Sequence, residues 1–427
     1  MEFLQDNATI VLFGSFIILL LIRVPIGISL GVSSILGLFL INYNLQTIPY
    51  NMFSAINSVT LMAIPGFIFA GLLMAKGGIS FHLIEALKSW VGHLRGGMAI
   101  VSILACMIFA AISGSSPATA AAIGSIMIPA MIKTGYTKQY AMGLVAAAGT
   151  LGILIPPSIA LILYGSIAEE SISDLFIAGI IPGIMLGIML IIFAIVYAKV
   201  KNLGGLEKAS WEDRLKKTGK ASWGFLLPII ILGGIYSGAV TPTEASIVAV
   251  FYSIIISFFV YKDMTKKLFI EIVKESINTT AMIFLIIASA LIFSTFLAIE
   301  QIPQAFSEWV AANSANKWIF LLGINLMFIV LGMFLEAVAI ILITLPILLP
   351  VLVQFDISLI HFAIIMTINL ELAMISPPVG LNLFVVSGVT KEKIGSVVKG
   401  VIPFFLIIVL GLILVTIIPE ISLILIN

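Results

Sequence analysis

The polar residues able to do chemistry in this chain cluster at four interruptions of otherwise apolar segments, two in each half. The first reads Ile112-Ser113-Gly114-Ser115-Ser116-Pro117-Ala118-Thr119. Gly114 permits a sharp turn. Ser116 is suited to cap a helix and Pro117 to begin one. That helix would aim its free N–H groups at the turn, which favours an anion; the alternative is a capped helix start that holds nothing. The second reads Gly149-Thr150-Leu151-Gly152-Ile153-Leu154-Ile155-Pro156-Pro157-Ser158. Its prolines remove two donors and free carbonyls earlier in the turn. Such carbonyls, with the Thr150 and Ser158 hydroxyls, suit a hard cation such as sodium; a plain proline kink is the alternative.

The third interruption runs from Gly332 to Glu336, and the fourth from Asn369 through Glu371, Ala373, Ser376-Pro377-Pro378 and Gly380 to Asn382. A glutamate inside an apolar segment is costly in lipid and must face an interior. Glu336 and Glu371 can therefore be ligands, hydrogen-bonded structural acids, or groups capping a free helix N-terminus. An enzyme built on them as an acid pair, or on Ser115 as nucleophile, lacks its other parts. No histidine lies in a membrane segment except His361 near its end, so Ser115 has no base. With three scattered histidines and the single Cys106, the sequence offers neither a metal motif nor an internal disulfide.

The elements that carry these breaks must be membrane helices. Of 427 residues, 61% are hydrophobic and 10% charged, against about 25% charged in a soluble protein. Such a chain needs lipid as its solvent. A net charge of +1 gives no reason to expect nucleic acid. The first apolar run follows Glu2 and Asp6 rather than a basic segment and lacks a cleavage site, so it reads as a span and not as a signal peptide.

The chain also repeats. Displaced by 221 residues, Pro129 falls on Pro350, Pro156-Pro157 on Pro377-Pro378, Pro182 on Pro403, Gly179 on Gly400 and Asn57 on Asn278. Proline sits where the backbone needs it, so the coincidences predict two structural units, about 1–200 and 222–427, joined by a polar linker at 201–221. Spans are expected near 8–23, 24–43, 54–76, 139–168 and 175–198, then near 222–239, 242–261, 276–298, 357–389 and 400–425. The segments 97–132 and 318–351 are each either two spans or one re-entrant helical hairpin. With the N-terminus outside, 20 of the 21 Lys and Arg residues lie in the cytoplasm, Lys317 excepted, while Asp6, Glu169, Glu170, Asp174, Glu300 and Asp356 lie outside. Five spans per unit invert the second unit relative to the first, as in many secondary transporters. Ser80 to Arg95 reads as an interfacial arm, with Trp309 in a similar arm, and Thr241-Pro242-Thr243-Glu244 as a structural capping box.

At the breaks the sequence resembles the large membrane subunit of the tripartite ATP-independent periplasmic (TRAP) transporters. The stretches that carry the resemblance are Ile112 to Gly124, Gly149 to Ile159, Thr344 to Pro350 and Ser376 to Phe384, and it extends over the whole chain. It implies an all-α polytopic protein of two inverted repeats, with an elevator mechanism in which a transport domain slides through a scaffold. It implies a bacterial inner membrane location with both termini periplasmic. Sodium would be the coupling ion, and the cargo an organic acid such as a C4-dicarboxylate or sialic acid. Two partners are implied: a small four-helix membrane subunit (Q type), expected here as a separate chain, and a periplasmic substrate-binding protein (P type). One sodium would lie near Ser113, Gly114, Ser116, Gly149, Thr150, Gly152 and Pro156. The other would lie near Gly332, Glu336, Asn369, Ala373, Ser376 and Pro377. Substrate would meet Ser115, Ser116, Pro117, Thr119, Ser158 and Asn382. Many relatives carry Asp where this chain has Glu336. A stand-alone sodium–dicarboxylate symporter is the alternative function, and an intramembrane enzyme a more distant one.

Overall fold

The computed structural model describes residues 7–313 and 316–426, and every regular element among them is helical. Glu2 and Asp6 lie outside the described residues. The chain opens with α1 (Ala8–Leu21) and α2 (Ile26–Leu40), of 14 and 15 residues. They occupy the expected 8–23 and 24–43 spans but are shorter, roughly 21–23 Å by helical rise, against ~30 Å of hydrocarbon. Arg23, at a φ of 68°, and Pro25, the cap of α2, end one helix and start the other. The third expected span is bent: α3 (Ile48–Ile56) and α4 (Ala63–Lys76), each extended by a 3-10 turn, meet at 62°. The amphipathic arm follows as α5 (Ile79–Val91).

The helices α6 (Gly97–Ser113) and α7 (Ser116–Lys133) pack along each other. Next come α8 (Lys138–Thr150) and α9 (Ile159–Ala168), separated by the second interruption, and then α10 (Ile172–Val200). The second half runs through α11 (Trp211–Tyr236), α12 (Pro242–Ile255), α13 (Lys266–Ile299) and α14 (Ile302–Asn313). It continues with α15 (Lys317–Gly332), α16 (Ala337–Gln354), α17 (Leu359–Met374) and α18 (Leu381–Thr390). It ends with α19 (Ile394–Ile417) and α20 (Glu420–Leu423). Among the described residues, six helices are long and apolar enough to cross a membrane alone, or seven counting the bent pair.

The linker differs from the expectation, because its second part is the start of α11. Ser210 caps the helix by accepting from the Asp213 N–H at 3.2 Å. The Arg214 guanidinium then lies over the indole rings of Trp90 and Trp211, 5.4 and 5.3 Å from their centroids. The Trp90 Nε1–H donates to the Thr218 hydroxyl at 2.8 Å. These contacts fold residues that read as polar connector onto the arm. The capping box at Thr241 is present, with the Thr241 N–H donating to Glu244 at 2.8 Å and the Glu244 N–H to Thr241 Oγ1 at 3.3 Å.

Large apolar side chains face outward, among them Leu21 (77% exposed), Val200 (73%) and Phe259 (71%). Small residues lie between helices, as expected where lipid leaves close packing as the main attraction. Gly27 and Gly31 of α2 rest on Ile286 and Ser289 of α13. The closest approach is between α8 and α19: a Cβ at Gly143 would lie 2.1 Å from the Gly400 carbonyl carbon, and one at Gly400 would lie 1.9 Å from the Gln139 carbonyl oxygen. No other residue type fits this crossing without moving backbone.

Candidate functional site

The site forms where the interruptions meet. Between α6 and α7, Gly114 adopts the left-handed conformation (φ 59°) and Ser115 is extended. Ser115 is the residue preceding the helix, which begins at Ser116 with Pro117 in its second position. The cap thus lies one residue earlier than the sequence suggested, and no side chain bonds it. Either of the first two positions tolerates proline, since their N–H groups have no intrahelical partner. The turn is tied by side chains. The hydroxyls of Ser113 and Thr119 are 2.9 Å apart, and Thr119 Oγ1 donates to the Ser115 carbonyl at 2.8 Å.

The second interruption packs on this turn. After Thr150 the chain makes a 3-10 turn, Leu151–Ile153, and passes through the cis Pro156–Pro157 bond to Ser158. Ser158 Oγ accepts from the Leu161 N–H at 3.3 Å and donates to the Ile153 carbonyl. The Ile159 N–H donates to the Gly114 carbonyl at 3.5 Å, joining break to turn. Gly149 and Gly152 give the close contact: Cβ atoms there would lie 2.8 Å from Ala120 and 2.7 Å from the Ser115 carbonyl oxygen.

The second half is arranged in the same way. Between α15 and α16 the chain turns through Met333–Leu335, and Glu336 precedes the helix without a side-chain cap bond. The Val379 N–H donates to the Met333 carbonyl at 3.1 Å. Gly332 lies against Ala373, and Ser376 Oγ donates to the Leu372 carbonyl at 2.7 Å. Pro377–Pro378 is also cis. Asn369 donates through Nδ2 to the Ile365 carbonyl at 2.9 Å and to Asn325 Oδ1 at 2.7 Å.

Asn382 ties the breaks of the two halves together: its Nδ2 donates to Ser116 Oγ at 2.8 Å and to the Ala146 carbonyl at 2.9 Å. The Oδ1 atoms of Asn369 and Asn382 and both carboxylate oxygens of Glu371 are buried without a hydrogen-bond partner among the described residues. Thr150 lies beside Glu371, but its hydroxyl proton goes to the Ala147 carbonyl at 2.6 Å.

A cavity of about 560 Å³ opens against the first turn. Ser113, Gly114, Ser115, Ser116 and Pro117 line it, and Glu336 reaches it from the second half. A smaller cavity of about 130 Å³ is lined by Gly332, Glu336, Ala373 and Gly380. The substrate candidates therefore divide. Ser115, Ser116 and Pro117 border the large cavity, although Ser116 is fully buried with its hydroxyl accepting from Asn382; Thr119, Ser158 and Asn382 are fully buried, off that wall, and bonded within the protein. Thr150, Asn369 and Ser376 are also buried and do not line the cavity. The sequence reading missed Asn325 as the partner of Asn369. It also missed Lys76 and Glu275, which form an ion pair and line the large cavity. Nothing local marks that pair, since its members are 199 residues apart.

A helical, multi-pass protein with broken helices gathered around a mostly apolar cavity that carries a few polar groups has the architecture of a membrane transporter. Residues 13–421 match the family described as the tripartite ATP-independent periplasmic transporter, DctM component. The chain is 45% identical over 400 residues to the C4-dicarboxylate TRAP transporter large permease protein DctM of Pseudomonas aeruginosa, covering 93% of this chain and 94% of that one. It is 40% identical over 421 residues to the isethionate TRAP transporter permease protein DctMQ of Oleidesulfovibrio alaskensis, covering 96% of this chain and 65% of that one. In fold it is similar to the solved Alcanivorax borkumensis YdaH transporter, with a TM-score of 0.62, 16% identity and 87% coverage of both chains. The chain belongs to the DctM family of TRAP transporter large permeases.

Proposed function

We propose that this permease imports an organic acid, a C4-dicarboxylate in the first instance, driven by a sodium gradient. The observation that carries this reading is the shared cavity, in which the turn Ser113–Pro117 and Glu336 from the other half face one space. The substrate carboxylate rests near Ser115 and Ser116, where α7 presents its free N–H groups. Sodium lies behind each turn, among carbonyls, hydroxyls and the unpartnered oxygens of Asn369 and Asn382. Two cations offset the cost of burying the anion.

The bonds Ile159 N–H to Gly114 O and Val379 N–H to Met333 O each join a Pro-Pro break to the turn of its own half. The 221-residue displacement carries 159 to 380 and 114 to 335, within one and two residues of the second bond's partners, which supports a repeat. In the elevator reading, the two hairpins and two broken helices, α6–α9 and α15–α18, move as the transport domain, and α19 travels with them through its backbone contact with α8. A four-helix small subunit and a periplasmic binding protein complete the system in the inner membrane, with both termini periplasmic. The test is uptake of radiolabelled succinate into proteoliposomes holding the complete transporter. An imposed sodium gradient is expected to drive accumulation, and equal uptake without sodium would overturn the reading.

A further inference from the structure

Beside the first turn, α4 and α13 form another part of the wall of the large cavity. Ile68, Gly71, Leu72, Ala75 and Lys76 of α4 face it at helical spacing, as do Glu275, Thr279, Met282 and Ile283 of α13. Lys76 is the only cation among the residues lining this cavity, and it is ion-paired with Glu275. Both side chains are partly exposed, 39% and 47%, so the pair is open to solvent and exchangeable. Its height relative to the turn can be read from Gly71, which packs on the Cα of Ser113. Lys76 follows five residues later, a rise of about 7.5 Å along the helix. An anion held at Ser115 and Ser116 thus has one positive charge within reach of a second acidic group, towards the basic face of the protein.

We propose that Lys76 is the counter-charge for a second anionic group of the cargo, and that Glu275 competes with that group for it. This rests on the reading of the cavity as the carboxylate site. A dianion displaces Glu275 from Lys76, whereas a monoanion leaves the pair intact. When cargo departs, Glu275 recaptures the ammonium and disfavours rebinding, so one pair sets both the preference for dianions and the ease of release.

The test is equilibrium binding to the purified permease together with its small membrane subunit in sodium, with succinate and its monoamide as probes. The two differ in one charge and little in shape. Wild type is expected to prefer succinate about tenfold, the order of one charge-assisted contact. In Lys76→Gln the preference should fall to about one, with monoamide binding unmoved, and Lys76→Arg should restore most of it. Glu275→Gln should tighten succinate and slow its dissociation. Equal loss of both probes in Lys76→Gln, or an unchanged preference, would overturn the proposal while leaving the cavity assignment intact. Failure of the wild type to bind either probe in sodium would overturn both.

Discussion

Asn382 donates its amide to the hydroxyl of Ser116, 266 residues away in the chain, at 2.8 Å. The same amide reaches the Ala146 carbonyl at 2.9 Å, so one buried side chain joins the first turn, α8 and the start of α18. One side chain thus links a break of each half directly.

Replacing Asn382 with Leu should therefore loosen the site more than the fold. Removing both bonds leaves the Ala146 carbonyl and Ser116 hydroxyl short of a donor, at a cost of about 1–3 kcal/mol. Sodium-driven succinate uptake is expected to fall by at least about tenfold, with the detergent melting temperature lowered by only a few degrees. Uptake at the wild-type rate would show that the tie is dispensable.

Ser116→Ala and Thr241→Ala form a matched pair. Thr241→Ala removes a cap worth about 1 kcal/mol, far from the cavity, and should leave the sodium dependence of uptake unchanged. Ser116→Ala removes a buried oxygen beside the cavity, the partner of Asn382, and should shift the sodium curve to higher concentration. Two superimposable curves would reduce the first turn to a structural feature.

The crossing of α8 and α19 predicts a stability contrast. Gly400→Ala places a methyl group in backbone and should destabilise by about 1–3 kcal/mol or more. Gly388→Ala, with nothing within 4 Å of the new methyl group, should be neutral or stabilising by about 0.5–1 kcal/mol. Thermal unfolding of the two purified variants tests the assignment, and equal melting temperatures would contradict it.

Topology can be read with an impermeant thiol reagent in intact cells. Cys106 is buried and free, so the wild type gives a low background. Asp356→Cys is expected to react from the periplasm and Lys216→Cys only after lysis. The opposite pattern would reverse the orientation of the permease.

Much of this was legible in the sequence because glycine and proline mark backbone requirements directly. Gly114, Pro117 and the two Pro-Pro pairs located the breaks to within a few residues. Length was less legible: Ala8–Leu21 is apolar but for Thr9 and Ser15, and nothing in its composition says that it stops at 14 residues. The helical start of the linker was hidden because Trp211 and Arg214 are ordered by Trp90, a partner 121 residues earlier that no local pattern names. The site was legible as break points and not as a surface. Hydroxyl and amide groups of one kind divided between the cavity wall, as with Ser115, and internal bonds, as with Thr119 and Asn382.

The Gly143–Gly400 crossing carries a mechanical consequence. Where side chains separate two helices, they can slide by trading one rotamer for another. Here main chain rests on main chain, and no soft layer remains to absorb shear. The segments 138–150 and 394–417 therefore behave as a riveted joint: whichever is driven drags the other, and any relative travel must be taken up at some other seam.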